Sequence, residues 1–355
     1  MGKQQPLVMD KKSSGAAIDS QSAHAIQKKV TLTNWKRLTN TAVQFDIRYA
    51  QGAFFWRDYV AVFSYNSPRE LHIYHLRQGI WSKITAIDST GSLGSTACTP
   101  VVGHAYTVYN GDLIFLSMYG NVLKFITDRW CECPEMNIQW NNPPYAIFAT
   151  AAVLGDSRSS LIVLEAKSES DNKLFSLCTF RYLQASEANS QWSQPCKLQK
   201  SILCHVLDMY NRPVYKYHIT FAAIQGYVFV SNGIQTFSLN LISRSAEIIP
   251  VAEITQLPHS MYTIASVENT LFAFGGRDED NQPTSDVYRY NSAANIWEAA
   301  GYMRNARYGV TVTSVVQEDS GLIDVFAIGG CVGVLNNSTQ SLISRVTESC
   351  EVAIA

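Results

Sequence analysis

From about residue 31 the chain is a succession of short apolar runs, each of strand length and each closed by a polar turn signal. "DYVAVFSY", "LHIYHL", "DLIFLSMYG", "NVLKFI", "SLIVLEA", "YVFVSNG", "LFAFGG" and "IDVFAIGG" are rich in β-branched and aromatic residues, which suit a pleated and half-buried surface. Asn-Gly, Asp-Ser, Ser-Asn-Gly and Gly-Gly separate the runs, as turns between strands require. Helical periodicity is nearly absent, so the pattern predicts an all-β chain.

Strands spaced this evenly call for a repeat. Trp35, Trp81, Trp130, Trp192 and Trp297 stand 46, 49, 62 and 105 residues apart, the last gap being close to two units of about 50. The unit that lacks its tryptophan is 216–253, where "SRSAEII" occupies the place of a tryptophan strand. Trp56 and Trp140 fall off the period and are expected in loops or at blade edges.

"LFAFGG", followed by Tyr290 and then Trp297 seven residues later, resembles the kelch motif. In that motif four hydrophobics lead into a double glycine, and a spaced tyrosine and tryptophan follow. "FAIGG" at 326–330 repeats the first half, and Tyr74 with Trp81 repeats the second. Elsewhere the glycines are reduced to "SYN", "SMYG" and "SNG". The resemblance covers nearly all of 31–355 and implies a six-bladed kelch-type β-propeller. Its blades are expected at about 45–86, 98–138, 145–198, 214–254, 258–300 and 306–355. The last blade stops before any tryptophan strand, whereas "LTNWKRL" at 32–38 has no blade of its own. Pairing 32–38 with the 346–355 region would complete the C-terminal blade and remove an open edge. Gly275, Gly276, Tyr290 and Trp297 are then read as packing residues.

Composition narrows the function classes. Lys+Arg 28 against Asp+Glu 29 leaves a formal net charge of −1, so no global field favours nucleic acid or an anionic membrane. No apolar run reaches the length of a membrane-spanning helix and the first residues lack a signal-peptide layout, so a cytoplasmic protein is expected. Residues 1–30 are rich in Gln, Ser, Lys and Ala and are read as a flexible tail. The eight cysteines have no repeating spacing, which suits free thiols, and Cys131 and Cys133 are too close for a zinc site. No metal or cofactor is expected.

Function is then expected from loops, because blades are scaffold. The position just ahead of the inner strand in the six blades is Arg48, Val101, Tyr145, Lys216, His259 and Arg307. In kelch proteins of the ubiquitin-ligase adaptor type, arginines at this point commonly face the substrate, which is what the resemblance implies for Arg48 and Arg307. Tyr49, Tyr217, Tyr262 and Tyr308 would surround the same mouth, and arginine and tyrosine are the residue types that anchor protein interfaces. The expectation is a non-enzymatic protein-binding module, an adaptor or scaffold, whose partner presents an acidic or phosphorylated segment. The acidic loop "RDEDNQPTSD" is read as a solvated hairpin or a second contact surface. The alternative is a propeller-fold enzyme or small-molecule-binding protein with its site in the central channel. Copper radical oxidases share the kelch architecture, but the seven histidines here occupy no common blade position, and no nucleophile elbow or phosphate loop occurs.

Overall fold

Apolar runs joined by short turns fold as antiparallel meanders, because a turn of a few residues can only connect strands of opposite direction. The computed structural model describes residues 30–38, 50–64, 70–85, 87–88, 105–117, 119–126, 129–141, 144, 146–153, 159–168, 174–185, 190–205, 219–224, 226–233, 235–240, 248–250, 260–317, 321–334, 341–343 and 347–354. Residues 1–29 of the expected tail fall outside them, and Val30 already belongs to the first strand.

The first strand is β1 (Val30–Arg37), and blade 1 follows with β2 (Ala50–Trp56), β3 (Tyr59–Ser64), β4 (Glu70–His75) and β5 (Ile80–Thr85). Blade 2 contains β6 (Ile87–Asp88), β7 (Ala105–Tyr109), β8 (Asp112–Leu116), β9 (Val122–Ile126) and β10 (Arg129–Glu132). Blade 3 contains β11 (Ala146–Val153), β12 (Ser159–Ser168), β13 (Leu174–Ala185), β14 (Ser190–Trp192) and β15 (Cys196–His205). Blade 4 is β16 (Thr220–Ile224), β17 (Tyr227–Ser231), β18 (Thr236–Asn240) and β19 (Ile248–Pro250). Blade 5 is β20 (Thr263–Val267), β21 (Thr270–Arg277), β22 (Pro283–Asn291) and β23 (Ile296–Tyr302). Blade 6 has β24 (Thr311–Val316) and β25 (Ile323–Ile328), a two-stranded hairpin of β26 (Cys331–Val334) and β27 (Ser341–Ile343), and then β28 (Thr347–Ile354).

The strands β2, β7, β11, β16, β20 and β24 touch one another in that order, and β24 returns to β2. They form the closed inner ring of a six-bladed propeller. Blade 6 has the strand order β24, β25, β28, β1, so the N-terminal strand supplies its fourth strand. β1 runs antiparallel to β28, with Val30 opposite Ile354 and Arg37 opposite Glu348. The ring therefore closes as the stranded "LTNWKRL" segment predicts. A register shift between Thr33 and Lys36 is accommodated by Asn34 at φ 58, a left-handed conformation that asparagine tolerates better than most residues.

Each blade has two apolar faces, and each face is shared with a neighbour. In β12, Ile162, Leu164 and Ala166 join the core between blades 3 and 4, while Leu161 and Val163 join the core between blades 2 and 3. Burial on both faces is why these strands read as continuous apolar runs instead of alternating ones. Trp35, Trp81, Trp130, Trp192 and Trp297 all lie on outer strands, and in blade 4 that place is taken by β19. The seven-residue spacing puts tyrosine directly opposite tryptophan across the third and fourth strands. Tyr74 lies 5.3 Å from Trp81 and Tyr290 lies 5.4 Å from Trp297, centroid to centroid.

Trp56 corrects one expectation. It ends β2 inside the core between blades 1 and 2, 3% exposed, with Phe125 at 5.7 Å. Trp140 lies half-buried between β10 and β11.

Candidate functional site

In a four-stranded meander, the link into a blade and the link between its second and third strands emerge at the same end. That end, the mouth, collects the residues expected to meet a partner. Arg48, Tyr49, Tyr145, Lys216, Tyr217 and His259 lie outside the described residues. Tyr262, Arg307 and Tyr308 lie within them, and all three are buried at 1%, 0% and 1% exposure.

Arg307 is the main correction, because its guanidinium is inside the fold and does not face a partner. Gly275 and Gly276 end β21 and let the link from blade 5 to blade 6 pass against them. A Cβ on Gly275, at φ +58, would sit 2.2 Å from the Arg307 carbonyl oxygen, and the Gly276 N–H donates to that oxygen at 3.0 Å. With its backbone held there, Arg307 extends its side chain beneath blade 6. It donates to the carbonyls of Gly329 at 3.2 Å and Ala327 at 3.3 Å, and pairs with Glu348 at 3.1 Å. Glu348 also accepts from the Arg304 N–H at 3.1 Å and from Asn305 Nδ2. Burial lowers the Arg307 pKa to about 10 and Glu348 opposes the fall, so the guanidinium remains charged at neutral pH. Its work is to fasten the closing blade to its neighbour.

Tyr262 belongs to the contact between blades 4 and 5, where its hydroxyl lies 3.0 Å from Thr236 Oγ1. Burial raises its pKa, against the lowering effect of hydrogen bonds to Thr236 and Ser231. Tyr308 is tied into blade 6 by two backbone bonds with Cys331, at 3.0 and 2.8 Å.

The ring of Tyr308 supports a residue that sequence reasoning passed over. Arg277, immediately after the double glycine, lays its guanidinium carbon 3.8 Å from the Tyr308 ring centroid. Its backbone is fixed to Ser260 by bonds of 2.8 and 3.4 Å. Arg277 Nε is buried with no hydrogen-bond partner, and among the described residues no carboxylate pairs with this side chain. The adjacent Asp278 instead accepts from the Gln282 N–H at 2.8 Å, capping its own turn. Asp286, on β22, has its pKa raised by burial and by Asp278. The available clue to Arg277 was its position at the exit of β21, where "RDEDNQPTSD" reads as one charge run.

Residues 258–304 match the kelch motif. The match spans blade 5, the blade whose glycine pair, tyrosine and tryptophan are all present. No curated protein matches the chain. Blades 2 and 4 keep one working glycine where the pair is reduced. In "SMYG", Gly120 at φ +97 brings the Ile138 carbonyl within 2.0 Å of where a Cβ would be, and in "SNG" the Gly233 carbonyl accepts from the Met261 N–H at 2.7 Å.

Among the described residues no three His, Cys, Asp or Glu side chains gather as a metal site would require, and no helix is long and apolar enough to cross a membrane. Cys133 is buried with its pKa raised mainly by desolvation, and its Sγ approaches the Cys131 carbonyl at 4.0 Å. His72 and His75 project to opposite sides of β4, and His75 bonds Ser82 Oγ at 2.7 Å.

Proposed function

We propose that this kelch propeller is a protein-binding module that holds an acidic or phosphorylated segment of its partner at the mouth, with Arg277 as the anchoring cation. The observation that carries the reading is the Arg277 guanidinium stacked on Tyr308 and, among the described residues, without a carboxylate partner. A planar fork held by an aromatic ring and a fixed backbone is preorganised for a bidentate bond to a carboxylate or phosphate, and such charge-assisted bonds are about twice as strong as neutral ones. Neither group needs to move, so little rotamer entropy is lost on binding. The biological settings proposed are those of an adaptor, as a substrate receptor in ubiquitin ligation, or of a cytoskeletal scaffold.

The test is crosslinking capture with the full chain and two charge reversals. Arg277→Glu removes the anchor, while Arg57→Glu alters the turn between β2 and β3 at the opposite end. Proteins retained by the wild type and by Arg57→Glu should be lost from Arg277→Glu, and their retention should fall with salt, since half-exposed charges are screened over about 8 Å at physiological ionic strength. An identical retained set from both variants would refute the reading.

A further inference from the structure

The first and second strands of a blade meet at the end opposite the mouth. There blades 1, 2, 4 and 5 close this hairpin with two residues each, 57–58, 110–111, 225–226 and 268–269, whereas blade 6 uses 317–322. The longer turn is bracketed by aliphatic side chains at the surface. Val316 is 54% exposed and Leu322 is 51% exposed, and a Cβ on Gly321 between them would meet nothing within 4 Å. The backbone beneath them is fixed, since the Gln317 carbonyl accepts from the Gly321 N–H at 2.8 Å and the Gln317 N–H donates to the Leu322 carbonyl at 2.7 Å.

The N-terminal strand enters blade 6 at this same end. Val30 lies opposite Ile354, and β28 alone separates β1 from β25, so the chain arrives at two strand spacings, about 10 Å, from the strand that Leu322 leads. β1 also touches β23 of blade 5, whose first residue, Ile296, is 49% exposed at this end. The entering chain is therefore flanked by aliphatic side chains of both blades. Immediately before Val30 the sequence is "AHAIQKK", residues 23–29. The four-residue step from Ile26 to Val30 spans at most about 14 Å, so Ile26 reaches the turn once the chain reverses. Charge agrees with that path, because Lys28 and Lys29 precede the strand and the turn carries Glu318 and Asp319.

We propose that residues 23–29 dock on this end of blade 6, with Ile26 covering Val316 and Leu322, and Lys28 and Lys29 meeting Glu318 and Asp319. A segment too poor in apolar residues to form a core of its own needs only one aliphatic anchor on a preformed platform. Tethering supplies the rest, since a short linker holds the anchor at an effective concentration on the order of millimolar, where a weak contact is occupied. The mouth stays open to a partner, because the docked segment lies at the other end.

A photoreactive diazirine side chain in place of Leu322, in the full chain, tests the contact. Irradiation and peptide mapping should give crosslinks within one chain to residues 23–29. Ile26→Asp should lower their yield about fivefold or more, the scale of losing one buried aliphatic anchor. Lys28→Glu together with Lys29→Glu should lower it less, by about twofold to threefold, and added salt should act in the same direction. Ile18→Asp, earlier in the same segment, should leave the yield unchanged. A yield that Ile26→Asp does not alter would mean that tethering alone brings the chain to the turn, and the docking proposal fails. It also fails if the crosslinks join two copies, which would make the turn a self-association surface, or if no crosslink to residues 23–29 forms.

Discussion

Two junctions of the ring are built alike and end differently. Between blades 2 and 3, Gly120 admits the Ile138 backbone, and Trp140 behind it carries the Arg181 guanidinium at 5.2 Å. Between blades 5 and 6, Gly275 admits the Arg307 backbone, and Tyr308 behind it carries Arg277 at 3.8 Å. The difference is the counter-charge. Arg181 meets Glu165 at 2.6 Å, and Thr179 donates to the same carboxylate at 2.8 Å, whereas Arg277 has no such carboxylate among the described residues. An arginine on an aromatic ring is a recurring packing solution of this propeller, and it becomes a candidate binding group only where its charge is left unanswered.

The shared half of the comparison breaks with the largest effect. Gly120→Ala and Gly275→Ala each place a Cβ against a backbone oxygen, at 2.0 and 2.2 Å, and each force alanine into a left-handed conformation at φ +97 and +58. Both should cost on the order of 4 kcal/mol or more in chemical denaturation. Gly111→Ala is the control, since at φ +77 it shares the strain but meets nothing within 4 Å, and its loss should stay near 1–2 kcal/mol. A small loss at Gly120 would show that the reduced glycine motifs do not perform the work of the pair.

Next comes the buried pair that distinguishes the closing junction. Arg307→Ala leaves the Glu348 side chain fully buried and short of its main partner, and should cost about 3–5 kcal/mol. Arg277→Ala should fold with stability within about 0.5 kcal/mol of wild type, because the side chain gives up a stack but no ion pair. Equal losses at the two positions would mean that Arg277 is structural as well.

That contrast marks what could be read from the chain alone. The closing strand, the outer-strand tryptophans and the Tyr–Trp spacing are written in local patterns, because strand period and blade period are properties of neighbouring residues. The fate of an arginine is not local. Arg307 shares its residue type and loop position with a partner-facing arginine, and its burial depends on Glu348, which lies on the far side of the blade 6 ribbon in sequence. Arg277 sits beside Asp278, Glu279 and Asp280 in the chain, yet Asp278 turns its carboxylate to the Gln282 N–H. Trp56 was misplaced for a related reason, since only the packing of blade 1 on blade 2 shows that the end of an inner strand is core.

A smaller effect separates the two stacked arginines themselves. Arg181 and Glu165 have side chains only 13% exposed each, and Arg181→Ala removes the cation from a carboxylate that keeps Thr179 as a donor. The expected cost is about 1–2 kcal/mol, measurable as a shift in denaturation midpoint that Arg277→Ala does not show. Replacing both members, Arg181→Met with Glu165→Leu, should recover most of it, as apolar replacements of part-buried pairs often do.

The smallest effect concerns Asp286, on the third strand of blade 5. Burial and the nearby Asp278 raise the pKa of Asp286, so folding disfavours its charged form. For an acid raised in this way, the contribution to stability is present below the unfolded-state pKa and is lost as pH rises through the folded-state value. At neutral pH Asp286 is therefore slightly destabilising, and Asp286→Asn should raise the denaturation midpoint at pH 7 while leaving it unchanged near pH 3, where both side chains are neutral. The gain should stay within about 0.5 kcal/mol, since solvent screens a half-exposed group. A loss at pH 7 would mean that Asp286 is answered by a cation in the folded state, and Arg277, across the same blade, would be the first to examine for that pairing. The two junctions would then be equivalent in charge, and the case for Arg277 as the anchor would go with the difference.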